Sequence, residues 1–108
     1  MTVKELVASL ELEVLSMPCE DKKVDGAYVG DLLSWVMSRA EENNVWATIM
    51  TNINVVAVAS LVGISATVIC EDCELSDEVI NTAKEKSVNL FRTKLPIYEF
   101  CLRLSKII

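Results

Sequence analysis

The chain reads as one α/β domain with a small, mostly parallel or mixed sheet and helices on both faces. Three observations carry that reading. β-prone apolar runs begin near residues 45, 65 and 88, a spacing of 20 to 23 residues, and each interval holds a helical pattern; alternation at that period marks right-handed βαβ units and a parallel sheet. Val45 to Gly63 runs from a β-prone segment into a helix that is apolar on nearly every side, and a helix without a polar face is expected at the centre, covered all round. Finally, 108 residues at 52% hydrophobic content suit a single core that buries roughly two thirds of the unfolded surface. Residues 1–108 are therefore taken as one domain.

Thr2 followed by Glu5 is a capping box, and Val3, Leu6, Val7 and Leu10 fall on one face, predicting a helix over 3–10. Leu12, Val14 and Met17 before Pro18 suggest a strand of about five residues, then a charged loop from Cys19 to Asp25. Gly26 to Gly30 is a short strand or an extended turn. Asp31 is expected as a first-turn acid of a helix over 31–42, with Leu32, Leu33, Val36 and Ala40 as its stripe. The central strand covers 45–50, and Thr51 or Asn52 caps the helix that ends at Gly63.

Ser65 to Cys70 reads as a second buried strand, and Ser76 caps a helix with Asp77 and Glu78 at its positive end, Lys84 and Lys86 at its negative end, and Val79, Ile80 and Ala83 inward. Val88 to Phe91 is a third strand. Pro96 at a first helical position opens the last helix, with the stripe Ile97, Phe100, Cys101, Leu104 and Ile108.

Ten basic against sixteen acidic side chains give a net charge of −6, which opposes nucleic acid and anionic membrane surfaces as partners. The longest apolar run, Val55 to Val62, is too short for a membrane span of roughly 20 residues. The opening residues hold no signal-type block, so a cytoplasmic chain is expected. With no histidine, the commonest general base and nitrogen metal ligand are missing. Three glycines cannot write a Walker loop or a dinucleotide fingerprint, and Glu41-Glu42 and Glu71-Asp72 read as solvated charge. The expectation is a chain that is not an enzyme.

Cys70 and Cys73 have the spacing of a metal knuckle or dithiol, but Cys19 and Cys101 lie on distant elements. No metal and no cofactor are expected. In open α/β sheets ligands bind at the carboxyl ends of strands. There the sequence places Thr51, Asn52 and Asn54 after one strand, Glu71 and Asp72 after the next, and Arg92, Thr93 and Lys94 after the third. A helix N-terminus near Asn52 flanked by Arg92 and Lys94 would suit an anion such as a nucleotide phosphate. Trp35, beside the stripe of its helix, is a candidate anchor for a partner subunit.

Val24-Asp25-Gly26-Ala27-Tyr28-Val29-Gly30-Asp31-Leu32-Leu33-Ser34, followed by the run from Trp46 to Ala59, resembles the DRTGG domain family. It is most similar to small stand-alone members related to the amino-terminal domain of HPr kinase. The similarity covers nearly the whole chain, including Val3-Lys4-Glu5-Leu6-Val7, and departs where Ala27 stands for a common glycine and Asp25 for a common threonine. The resemblance implies a fold like the amino-terminal domains of HPr kinase and the Mur ligases, a regulatory role and self-association. It implies no kinase activity, because the catalytic residues of HPr kinase belong to its other domain.

Two functional readings follow. In the first, the chain is a ligand-sensing module, for an adenine nucleotide or similar anionic metabolite, whose site uses Gly26, Tyr28, Asp31, Thr51, Asn52, Asn54, Arg92 and Thr93. In the second it is a homodimeric assembly subunit that docks on a metabolic or redox enzyme and binds no small molecule. A filled crevice beside an exposed apolar patch would favour the second.

Overall fold

Thr2 starts the first element as the capping box requires: its side chain accepts the Glu5 amide, and Glu5 returns to the Thr2 backbone. Helix α1 spans Val3–Leu10, and its first two amides donate to Lys22 O at 3.0 Å and Glu20 O at 2.9 Å. The N-terminal orphan donors are thus met by the loop that returns past the helix. The computed structural model describes residues 1–108.

Five strands follow: β1 (Glu13–Ser16), β2 (Ala27–Val29), β3 (Val45–Thr48), β4 (Ala66–Ile69) and β5 (Leu90–Arg92). They form one mixed sheet in the order β1-β5-β4-β3-β2, parallel except for the β1–β5 pair. Helices α2 (Leu33–Arg39), α3 (Asn54–Val62) and α4 (Asp77–Glu85) are the crossovers, and α5 (Ile97–Leu104) closes the chain. The expected α/β sheet with helices on both faces is present.

The alternation of β-strand side chains divides the core in two. Val45, Ala47, Ala66, Val68 and Phe91 point to the α1 and α5 side, where Leu6, Phe100 and Leu104 cover them. Trp46, Ile69 and Leu90 point to the other side, under Val36 of α2, Val55, Val56 and Ala59 of α3, and Val79 and Ala83 of α4. β3 and β4 are buried throughout, as expected of central parallel strands.

Several elements differ from their expected bounds, each for a local reason. The central strand stops at Thr48 because Asp31 Oδ1 takes the Ile49 amide at 3.0 Å. That carboxylate therefore lies outside α2, which covers only Leu33–Arg39 instead of 31–42; of its expected stripe only Val36 is buried, and Leu32 is exposed. The third strand begins two residues later and ends one later than expected, its register set by Val14 against Phe91 and Glu13 against Arg92 on β1. Pro96 precedes the last helix as its cap, and Ile108 lies beyond its end, exposed.

The largest correction concerns α3. It was expected to be covered all round, yet only Val55, Val56, Val58 and Ala59 are buried, while Ile53, Asn54, Ala57, Ser60 and Leu61 form one exposed arc. The sheet and two neighbouring helices cover a single side, and nothing in the chain packs on the other. Gly63 ends α3 at φ 82, as its place after the helix foretold, and Lys22 Nζ donates to Gly63 O at 3.1 Å, a cation on the negative helix end.

Candidate functional site

The carboxyl ends of β2, β3, β4 and β5 lie in a row. Between adjacent strands a crevice opens where the connections leave to opposite faces. β2, β3 and β4 all lead to helices on one face, while β5 leads to α5 on the other, so the switch falls between β4 and β5. The chain closes that crevice itself. Glu71 N donates to Leu95 O at 2.9 Å and Asp72 N to Thr93 O at 3.0 Å. Glu71 Oε2 accepts the Ile97 amide at 3.2 Å, so the N-terminus of α5 already holds a carboxylate. Glu71 and Asp72 both adopt left-handed backbone, φ 64 and 56, to make this turn.

At the β2–β3 end, Asp31 Oδ1 accepts the Thr48 hydroxyl at 2.7 Å and the Ile49 amide. Thr48 Oγ1 in turn accepts Met50 N at 3.2 Å. Asn52 Oδ1 accepts the Asn54 amide at 2.9 Å, and Asn52 O accepts Val55 N at 3.1 Å. An Asx turn thus caps α3 from Asn52, while Thr51 makes no such bond and the residue at the helix boundary, Ile53, has no side-chain cap.

Arg92 is spoken for. Its Nε lies 2.9 Å from Glu13 Oε2, with Asp72 Oδ1 4.0 Å away, and the Glu13 hydrogen bond holds the guanidinium above its usual pKa. Arg92, Thr93, Lys94 and Arg103 line a cavity of about 240 Å³ together with Glu11 and Glu13. Thr93 Oγ1 accepts Leu95 N at 3.2 Å within its own loop.

The residues singled out from the sequence are distributed as follows. Asp31 is bonded to Thr48 and Ile49 at the end of β3, and Thr51 and Asn52 follow three and four residues after the last residue of that strand. Arg92 and Thr93 stand two strands away, about 10 Å at the usual strand spacing. Gly26 is at the opposite end of β2, on a cavity of about 340 Å³ beside Cys101 and Leu104. Its φ of 72 and an Asn44 Nδ2 only 3.0 Å from where a Cβ would lie explain a glycine there. Tyr28 packs against the α2–α3 core. Asn54 lines a third depression, between α3 and α4.

No group of three or more Cys, Asp or Glu side chains is arranged to hold a metal ion, and all four cysteines are free. Cys70 is buried, and burial, with Cys101 nearby, pushes its thiol up to about 12. Trp35 is 50% exposed on α2, with the Arg39 guanidinium carbon 3.7 Å from its ring centroid.

A similar fold is found in the crystal structure of the CBS and DRTGG domains of the regulatory region of Clostridium perfringens pyrophosphatase, complexed with its activator diadenosine tetraphosphate: TM-score 0.77 over 95% of this chain, at 11% identity. What the two share is the fold. The present chain spans 45% of that structure's length. No protein-family profile and no curated protein matches the sequence. The neighbour contains a DRTGG domain, in keeping with the fold that the sequence resemblance implied.

Reasoning from sequence missed three features: Glu71 on the α5 N-terminus, Lys22 on the α3 C-terminus, and the exposed arc of α3. The last had a signal, since Asn54 and Ser60, the two polar residues of α3, lie within that arc.

Proposed function

We propose that this chain is a non-catalytic, DRTGG-like regulatory module that acts by associating with protein surfaces, its own copy or a metabolic or redox enzyme. One observation carries the reading: the strand-end crevice is closed by the chain's own main-chain bonds, while Ile53, Ala57 and Leu61 stand uncovered on α3. An apolar ridge exposed beside a finished core is the usual mark of an interaction site. Four free cysteines suit a reducing, cytoplasmic setting.

The test is the native size of the tagged chain at its normal level in its own cell extract. A species well above the 12.0 kDa monomer supports the proposal; elution as the free monomer overturns it.

Adenine-nucleotide sensing is the second reading. It is favoured by the fold likeness to a structure complexed with diadenosine tetraphosphate and by the turn of Thr51, Asn52 and Asn54 at the start of α3, where both asparagines are exposed and Asp31 holds the preceding Ile49 amide. On this reading the more distant Arg92 and Thr93 bind phosphate only if their loop rearranges. A nucleotide at one hundred times its dissociation constant raises stability by about 2.7 kcal/mol. Thermal unfolding against a nucleotide panel would show a rise of several degrees, lost in Asn52→Ala; a flat response to every nucleotide removes this reading.

A further inference from the structure

The depression between α3 and α4 has a volume of about 380 Å³ and is lined by Ala57, Ser60 and Leu61 of α3 with Ile53 just before it, and by Thr82 of α4 with Lys86 just after it. Its chemistry has an internal order. Ala57 is the middle of the exposed arc, with Ile53 four residues before it and Leu61 four after, so the ridge runs large, small, large. On α4 the middle is Thr82, whose hydroxyl donates to Glu78 O at 2.8 Å; Glu78 stands four before and Lys86 four after, so that stripe runs acid, neutral, base. Residues at four-residue spacing share a helix face. Both helices cross back from parallel strands over the same side of the sheet and so run in the same direction.

We infer that this face is the two-fold interface of a homodimer, with the α3 and α4 helices of two copies packed as a four-helix layer. The inference rests on the association reading and names its partner. A two-fold axis in the plane of the face, perpendicular to the helices, turns each helix end for end. Ala57 then lies opposite Ala57 of the second copy, where the small side chain lets the backbones approach, and the Ile53 end of one ridge meets the Leu61 end of the other. The same rotation sets the Glu78 end of each α4 against the Lys86 end of its counterpart, twice. Isologous contacts demand such self-complementarity, and near-antiparallel helices crossing at about 20° supply the packing. Electrostatics favours the same partner. Two chains of net charge −6 repel, and α3 carries no charged side chain, so the ridge adds no like-charge contact to their approach.

Sedimentation equilibrium of the purified full chain tests this with four variants. Glu78→Lys and Lys86→Glu each set like charges together at two symmetry-related places, and each weakens dimerisation roughly ten-fold. The double reversal Glu78→Lys/Lys86→Glu restores it. That recovery cannot come from helix stability, because each reversal opposes the α4 dipole and the pair opposes it more. Leu61→Asp, at a side chain 74% exposed, weakens dimerisation roughly a hundred-fold, since the two-fold repeats the change. It leaves the unfolding midpoint of dilute protein unchanged, which separates interface loss from misfolding. A double reversal as weak as the singles, or a dimer untouched by Leu61→Asp, overturns the inference while leaving association through another face. A wild-type chain that sediments as a monomer at every concentration overturns it too, and the extract measurement then decides the association reading separately.

Discussion

α3 and α4 are neighbours of equal length, nine residues each, covering the same side of the same sheet. Their solvent-facing surfaces are nevertheless opposites. Within the single chain α4 turns Asp77, Glu78, Lys84 and Glu85 outward, with Asp77 and Glu78 in its first turn and Lys84 in its last, the charge order the helix dipole favours. α3 has no charge, and Leu61 and Ile53 stay exposed. Position in the fold therefore does not dictate an apolar exterior; the helix beside it manages without one.

The sharpest way to break the comparison is to place the same residue on the two sides of α3. Val55→Asp buries an unpaired carboxylate at a fully covered position and should cost about 4 kcal/mol or more, enough to unfold a domain of this size. Ala57→Asp, on the exposed arc, should cost less than about 1 kcal/mol in protein dilute enough to be monomeric. Urea titration of both variants at that dilution checks this, and equal costs would mean that the chain itself covers α3 on both sides.

The helix ends provide a second contrast. α3 stops at Gly63 with φ 82, where a Cβ would lie 3.1 Å from Glu42 Cγ. Gly63→Ala should therefore lose about 1–2 kcal/mol. Just beyond α4, Ser87 takes φ 59 without being glycine, so Ser87→Gly should gain about 0.5–1 kcal/mol. Opposite signs in the two midpoints are the expected result. At the N-termini, Ser76 Oγ accepts Val79 N in a regular cap, while Asn52 acts from two residues before α3. Ser76→Ala should cost about 1 kcal/mol, and Asn52→Ala, whose loss water can replace, less than that.

The smallest effect is in pH dependence, at α1. The Thr2 backbone N–H and then its hydroxyl hold the Glu5 carboxylate below the usual range. A depressed folded pKa adds stability above the unfolded value and loses it as pH falls through the folded one. Wild type should lose part of its stability below about 4.5, the ordinary value for the group. Glu5→Gln should show a shallower decline there and equal wild type in slope at neutral pH.

Why some of this was legible in the sequence and some not has a physical basis. Capping boxes, glycine after a helix and apolar periodicity are local signals, so α1, α4 and the Gly63 stop fell where expected. The failures were decided by distant partners. Asp31 looked like a helix-first-turn acid, but Thr48 and Ile49 are seventeen and eighteen residues away in sequence and claim its carboxylate in space. Arg92 looked free to receive a phosphate, but the antiparallel β1 places Glu13 beside it. The apolar composition of α3 was read as full burial, and composition is indifferent to whether the covering surface is in the same chain.

The place of β1 bears on how the chain comes into being. Its ladder partner is β5, so Glu13 pairs with Arg92 and the first of the five strands must wait for the fifth. On the ribosome, α1 and β1 emerge early and stay without a sheet, while β2, β3 and β4 can assemble as they appear. β5 then fills the gap between β1 and β4 in one step. Because such long-range closure is slow and leaves strand edges open meanwhile, the interval between the appearance of β1 and the arrival of β5 is the one in which the protein is most exposed to misassembly.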